Sequence, residues 1–165
     1  MSFGYQVLGF GSGGASEITS DYVIGTGQDG ATGTADGDYK YHKFIATKTG
    51  AAGFSVKSTG SSGSSTVEYL LVAGGGNAGG DIGAGAGGGG YRTFTGGDAF
   101  SVEFTNYDVT IGGSASTSTV FGNSSTYGGG GANECGSGGR GGSAGGNSNC
   151  SKSEPLGNLG GYSPS

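Results

Sequence analysis

Charge is sparse in this chain of 165 residues: only 12 % are Asp, Glu, Lys or Arg, and the formal net charge is −5. Seven Lys and Arg residues in all offer no basic stripe to neutralise a phosphate backbone, so nucleic-acid binding is disfavoured. Tryptophan is absent and there is one histidine, His42. A catalytic imidazole needs a nucleophile or acid held beside it. YKYHKF brings none at a recognisable spacing, so His42 reads as a structural or surface residue and no enzyme is expected. No run of 18 apolar residues occurs, which argues against a membrane-spanning helix. The opening MSFGYQVLGFGSGG lacks a basic start and is broken by Gly4 and Gly9, so an ordinary secretory leader is not expected.

Metal-binding patterns are equally scarce. Cys135 and Cys150 flank GSGGRGGSAGGNSN, and two thiols without companion histidines fall short of the four ligands zinc takes. A disulfide closing that loop restricts the unfolded chain by about 3 kcal/mol. In an oxidising environment it is favoured over two unpaired thiols. Asp29, Asp36 and Asp38 do not have the spacing of a calcium loop, and beside Gly30 and Gly37 they read as turn residues. No metal or cofactor is expected.

Large apolar residues are few as well. Leu, Ile, Val and Phe number 26, under the level of about 20 per cent below which a highly charged chain is disordered. Here charge is low, and the apolar residues fall into short, well-phased segments, as expected of one folded domain. Phe100, Val102 and Phe104 alternate in FSVEF, and Tyr107, Val109 and Ile111 in YDVTI, the pattern of half-buried strands. Thr105 and Asn106 between them predict a tight hairpin. YKYHKFIA (39–46), GFSVKST (53–59) and TVFG (119–122) are further short strands. TVEYLLVA (66–73) is apolar on both faces toward its end, which predicts a central strand covered on two sides. No segment keeps a helical period over ten residues. The fold class is therefore all-β, a small sandwich or open barrel of short strands.

What the chain has in abundance is glycine, 44 residues, concentrated at 74–90, 128–131 and 136–146. VEYLLVAGGGNAGG satisfies G-x-G-x-x-G after a strand, the entry condition of a dinucleotide fingerprint. DIGAGAGGGG follows, and it cannot form the helix whose N-terminus would hold the pyrophosphate, since each interior glycine costs on the order of 1 kcal/mol. The match is one of composition. Ordering a glycine costs about 1–2 kcal/mol or more of backbone entropy with no side chain to offset it, so only amides and carbonyls remain to stabilise it. An extended left-handed helix of three residues per turn points those groups outward. Ordered glycine thus requires neighbours, from other tracts of the chain or from adjacent subunits.

The succession YKYHKFIATKTGAAGFSV, TVEYLLVAGGGNAGG, GAGGGGYRTF, YDVTIGG and STVFGNSSTYGGGGA, from residue 39 to about 132, resembles the glycine-rich domain of phage tail-fibre and other virion proteins. That family repeats a strand ending in VEYLVVAGGGGGG, a tract ending in GGGGYR, a strand closing in VTVGAGG and an SSFG strand before another tract, in this order. The opening segment is similar to the start of structural proteins of marine phages. The resemblance implies a non-enzymatic virion component whose polyglycine II-like tracts pack into a sandwich and, in related adhesins, present loops to a host receptor.

The expected organisation is a virion-attachment segment at 1–38, using Phe3, Tyr5 and Val7, a glycine-rich β domain at 39–125, and a glycine-rich C-terminal segment at 126–165. Tyr91, Phe94, Tyr127 and Tyr162 border the tracts, chiefly as packing. Tyr91, Arg92, Tyr127 and Arg140 are the candidate receptor or partner contacts, with Arg140 also suited to capping backbone carbonyls through its five donors. The expected partners are other virion proteins, further copies of the chain with a trimer favoured, and a host-surface glycan or protein. A tail fibre or adhesin comes first, a capsid decoration or head-fibre protein next, and a self-assembling extracellular filament subunit is the rival from another class.

Overall fold

The computed structural model describes residues 20–61, 65–80, 83–125, 127, 130, 131 and 137–147. Phe3, Tyr5, Val7, Cys135, Cys150 and Tyr162 lie outside them. The described chain is all-β. Its eleven short strands are β1 (Val23–Thr26), β2 (Thr34–Asp36), β3 (Tyr39–Tyr41), β4 (Phe54–Thr59), β5 (Thr66–Val67), β6 (Tyr69–Val72), β7 (Tyr91–Phe94), β8 (Phe100–Ser101), β9 (Asn106–Tyr107), β10 (Ser118–Val120) and β11 (Asn123–Ser125). They form one three-stranded sheet in the order β1-β4-β9 and four antiparallel pairs, β2-β3, β5-β8, β6-β7 and β10-β11.

Turn chemistry places several boundaries. Gly37 takes a positive φ of 59° directly after Asp36, which pairs with Tyr39, as the first central position of a two-residue hairpin asks. The expected division at residue 38 falls inside this hairpin, and β1 bonds to β4 in the central sheet. Residues 20–38 therefore belong to the β body. Asp29 also has a positive φ and forms an ion pair with Lys48 at 2.7 Å.

Phe54, Val56, Val102 and Val109 are the buried core, with Val23, Phe44, Val67, Phe100, Tyr107, Ile111, Val120 and Phe121 packed against it. Phe121 organises the aromatic part. Its ring stacks on Phe100 at 4.4 Å and meets Tyr69, Tyr107 and Phe54 edge-on. It does so from the turn between β10 and β11, where Phe121 and Gly122 both have positive φ. That conformation suits Asn-Gly far better than a bulky residue, and the four ring contacts hold it there.

Two strand expectations are corrected. FSVEF and YDVTI do not pair with each other: β8 bonds to β5, β9 bonds to β4, and Val109 bridges to Lys48. Val67 and Phe54, both part of the core, are the apolar partners they meet instead. TVEYLLVA is not covered on two sides. It breaks at Glu68, whose carboxylate accepts the Gly96 amide at 2.8 Å, and β6 pairs only with β7. Leu71 is buried while Leu70 and Val72 are 61 % and 51 % exposed.

Candidate functional site

Beyond β6 and β7 the chain runs into glycine, and the tracts bond to one another. The amides of Ala73, Gly76 and Gly79 donate to the carbonyls of Gly90, Gly87 and Ala84 at 2.9–3.0 Å. Donors and acceptors both recur every third residue, running in opposite directions. A β-ladder to one neighbour recurs every second residue, so this is not strand pairing. The next row of the second tract serves another neighbour: Gly88 and Gly85 carbonyls accept the amides of Ser143 and Gly146 at 3.1 and 2.8 Å. Spacing of three appears a third time, where Gly139 and Gly142 donate to Gly130 and Tyr127 at 2.7 and 2.9 Å. Gly145 donates to Gly139, folding 137–147 back on itself, and Gly131 donates to Asn77 at 2.8 Å. Together these bonds make a closed circuit through 73–79, 83–90, Tyr127, Gly130, Gly131 and both arms of 137–147, all within one chain. The turn at 112–116 flanks it, with Gly74 donating to Ser116 and Ala115 to Gly75.

Close approach explains the composition at selected positions. A methyl at Gly89 would fall on the Ala73 carbonyl, at Gly131 on the Ala84 carbonyl, at Gly142 on the Gly90 amide and at Gly145 on the Gly130 carbonyl. Gly85 faces open space, and alanine already stands on either side of it at 84 and 86. The interior of the stack is thus closed to side chains while the outside is not, as in collagen, where only glycine fits the axis.

The β body grips one end of this stack. Ser125, fully buried, donates its hydroxyl to the Gly90 carbonyl at 2.5 Å. Ser118, also fully buried, accepts the Gly112 amide at 2.9 Å. Small hydroxyl residues reach into backbone here without holding the tracts apart. Sequence reasoning passed over both serines, because a lone Ser in a short strand carries no pattern of its own.

The four candidate contact residues do not form one site. Tyr91 is 49 % exposed on the outward face of β6 and β7, opposite Val72, with Leu70 and Thr93 completing the face. Arg92 points the other way, into the body. Its guanidinium donates to the Ser124 carbonyl at 3.1 Å and lies 4.8 Å from the centre of the Phe94 ring, and its Nε is buried without a partner. Arg92 is therefore a structural bridge from β7 to β11 and makes a cation–π contact. Phe94 in turn stacks on Tyr69 at 4.3 Å. Burial raises the Tyr69 phenol above its ordinary range, opposed by the 2.7 Å hydrogen bond from Asn123 and by the Arg92 charge. Tyr127 is exposed, and its carbonyl bonds Gly142, which packs against Gly90 beside Tyr91. Tyr91 and Tyr127 thus flank the same end of the stack. Arg140 is exposed on the arm that leads to Gly142.

No helix among the described residues is long and apolar enough to cross a membrane, and among them no three His, Cys, Asp or Glu side chains come together. No family model, curated protein or solved structure matches the chain.

Proposed function

We propose that the chain is a structural virion protein of a tailed phage, a tail-fibre or adhesin component used in host attachment, with its tracts packed as polyglycine II helices in a sandwich. The observation that carries this reading is the hydrogen-bond spacing of three between antiparallel glycine tracts, the repeat of an extended three-residue helix. The ordered sequence blocks shared with glycine-rich virion domains point the same way. Work is done by a stiff, inert surface and its loops. Gly79 meets Ala84 and Gly146 meets Gly85 at the side away from β6 and β7, and in this reading the β body is the base and that side faces outward.

A capsid decoration protein uses the same architecture, and location separates the two. Immunogold labelling of intact particles with an antibody to this chain places label on the tail in the fibre reading. Label on the shell transfers the chain to the capsid, and particles without label overturn both.

A closed homo-oligomer, a trimer first, belongs to the proposal on different grounds from those read in the sequence. The tract amides described above bond within one chain, so they do not demand a second copy. The outward strip of Leu70, Val72 and Tyr91 supplies the apolar area that association needs.

A further inference from the structure

A depression of about 390 Å³, open to solvent, lies beside β2 and β3, lined by Gln28, Thr32, Thr34, Tyr41, His42 and Lys43 together with small residues of the 27–33 turn. Its size is that of small-molecule sites. The walls are held in place. Gln28 accepts the amides of Ile45 and Ala46 at 3.0 and 3.2 Å, and Asp29 pairs with Lys48. A methyl at Gly27 or Gly33 would strike the His42 ring, which also meets Phe54 edge-on at 5.6 Å.

The chemistry of the lining is selective. The Nδ1 atom of His42 is buried without a partner, and a neutral imidazole with its proton on Nε2 presents a donor there. Thr32, Thr34 and Tyr41 contribute hydroxyls that both donate and accept, and Gln28, its carbonyl oxygen engaged, keeps its amide hydrogens. Tyr41 is half exposed. Lys43 brings the one ammonium among the lining residues, with no ion pair to it among the described residues; Asp29 is held by Lys48, and the Lys40 charge also reaches His42. An apolar ligand would strand these polar groups, and the single ammonium in the lining matches one negative charge. A ligand with several hydroxyls, one flat C–H face and a single negative charge fits.

We propose that this depression binds an acidic saccharide of the uronic-acid class, its carboxylate on Lys43, its ring on Tyr41 and its hydroxyls on Thr32, Thr34 and His42 Nε2. Nothing in this assignment depends on a virion role, so the two stand or fall separately.

Titration of the ¹⁵N-labelled full chain with sodium glucuronate, followed by amide chemical shifts, tests it. Shifts confined to Thr32, Thr34 and 41–43 are expected. Glucose binds at least roughly tenfold more weakly, as does glucuronate to Lys43→Gln, each lacking one charge-assisted hydrogen bond. Tyr41→Leu weakens both sugars. Both variants alter exposed side chains, and an unchanged spectrum elsewhere establishes that they fold. The proposal is overturned if glucuronate produces no localised shifts up to about 50 mM, if Lys43→Gln binds as the parent does, or if inorganic phosphate moves the same resonances equally.

Discussion

At the scale of single residues, glycine in this chain has two meanings that a count of 44 conceals. Gly89 and Gly145 lie where a side chain would enter another tract's backbone, whereas Gly85 does not. Gly89→Ala or Gly145→Ala should therefore cost about 1–3 kcal/mol, the scale of overpacking. Gly85→Ala should be neutral or stabilising by under about 1 kcal/mol, since alanine narrows the unfolded ensemble. Denaturant midpoints compare the three directly. Phe121 is the corresponding aromatic case: Phe121→Ala removes four ring contacts and should cost about 3 kcal/mol, near the lower bound for phenylalanine in a core. His42 adds a pH dependence. Burial, and secondarily the Lys40 charge, lowers its pKa from the ordinary value, so the unfolded chain takes up the proton first as pH falls. Stability should be full above about pH 6.5, the ordinary histidine value, and decline below it until the folded imidazole also titrates. His42→Asn should flatten that decline in a series of melting temperatures.

At the scale of elements, the period of three makes a prediction that no strand shares. One residue inserted between Asn77 and Ala78 turns the following amide off its row, so Gly79 no longer faces Ala84. Three inserted residues restore the row. The single insertion should therefore destabilise more than the triple one, as read from protection of the Gly79 amide, although loop lengthening alone ranks them the other way. The sequence made much of this scale legible. Short apolar segments marked β4, β6 and β10, and alternation in FSVEF and YDVTI put Val102 and Val109 on buried faces, because a half-buried strand writes its own period. It could not assign partners. FSVEF and YDVTI look like a hairpin locally, and only the rest of the core, Val56 and Val67 included, decides that they bond elsewhere. TVEYLLVA looks central because Leu70 and Val72 are apolar, yet both face outward. The glycine tracts were visible as tracts and their need for neighbours followed from physics. Which rows meet which depends on the Gly83-to-Gly80 bond and the bend at 141–143, and neither carries a distinctive sequence pattern. The inward direction of Arg92 was not legible, because charge at a tract border says nothing of which face of β7 it takes.

At the scale of the whole molecule, the stack and the β body are joined by backbone continuity at β6 and β7 and by the hydroxyls of Ser118 and Ser125. Part of the apolar area left outside this union sits together on Leu70, Val72 and Tyr91 of one sheet face. Leu70→Glu with Val72→Glu should dissociate any closed oligomer, seen as a fall to monomer mass in sedimentation, without loss of the tract hydrogen bonds. The central claim is that the glycine tracts are ordered by bonds made inside one chain. Amide hydrogen exchange on that dissociated, monomeric form tests it most directly. Slow exchange at Gly76, Gly79, Gly142, Ser143 and Gly146 is the predicted result, and exchange there at the rate of an unstructured peptide would contradict it.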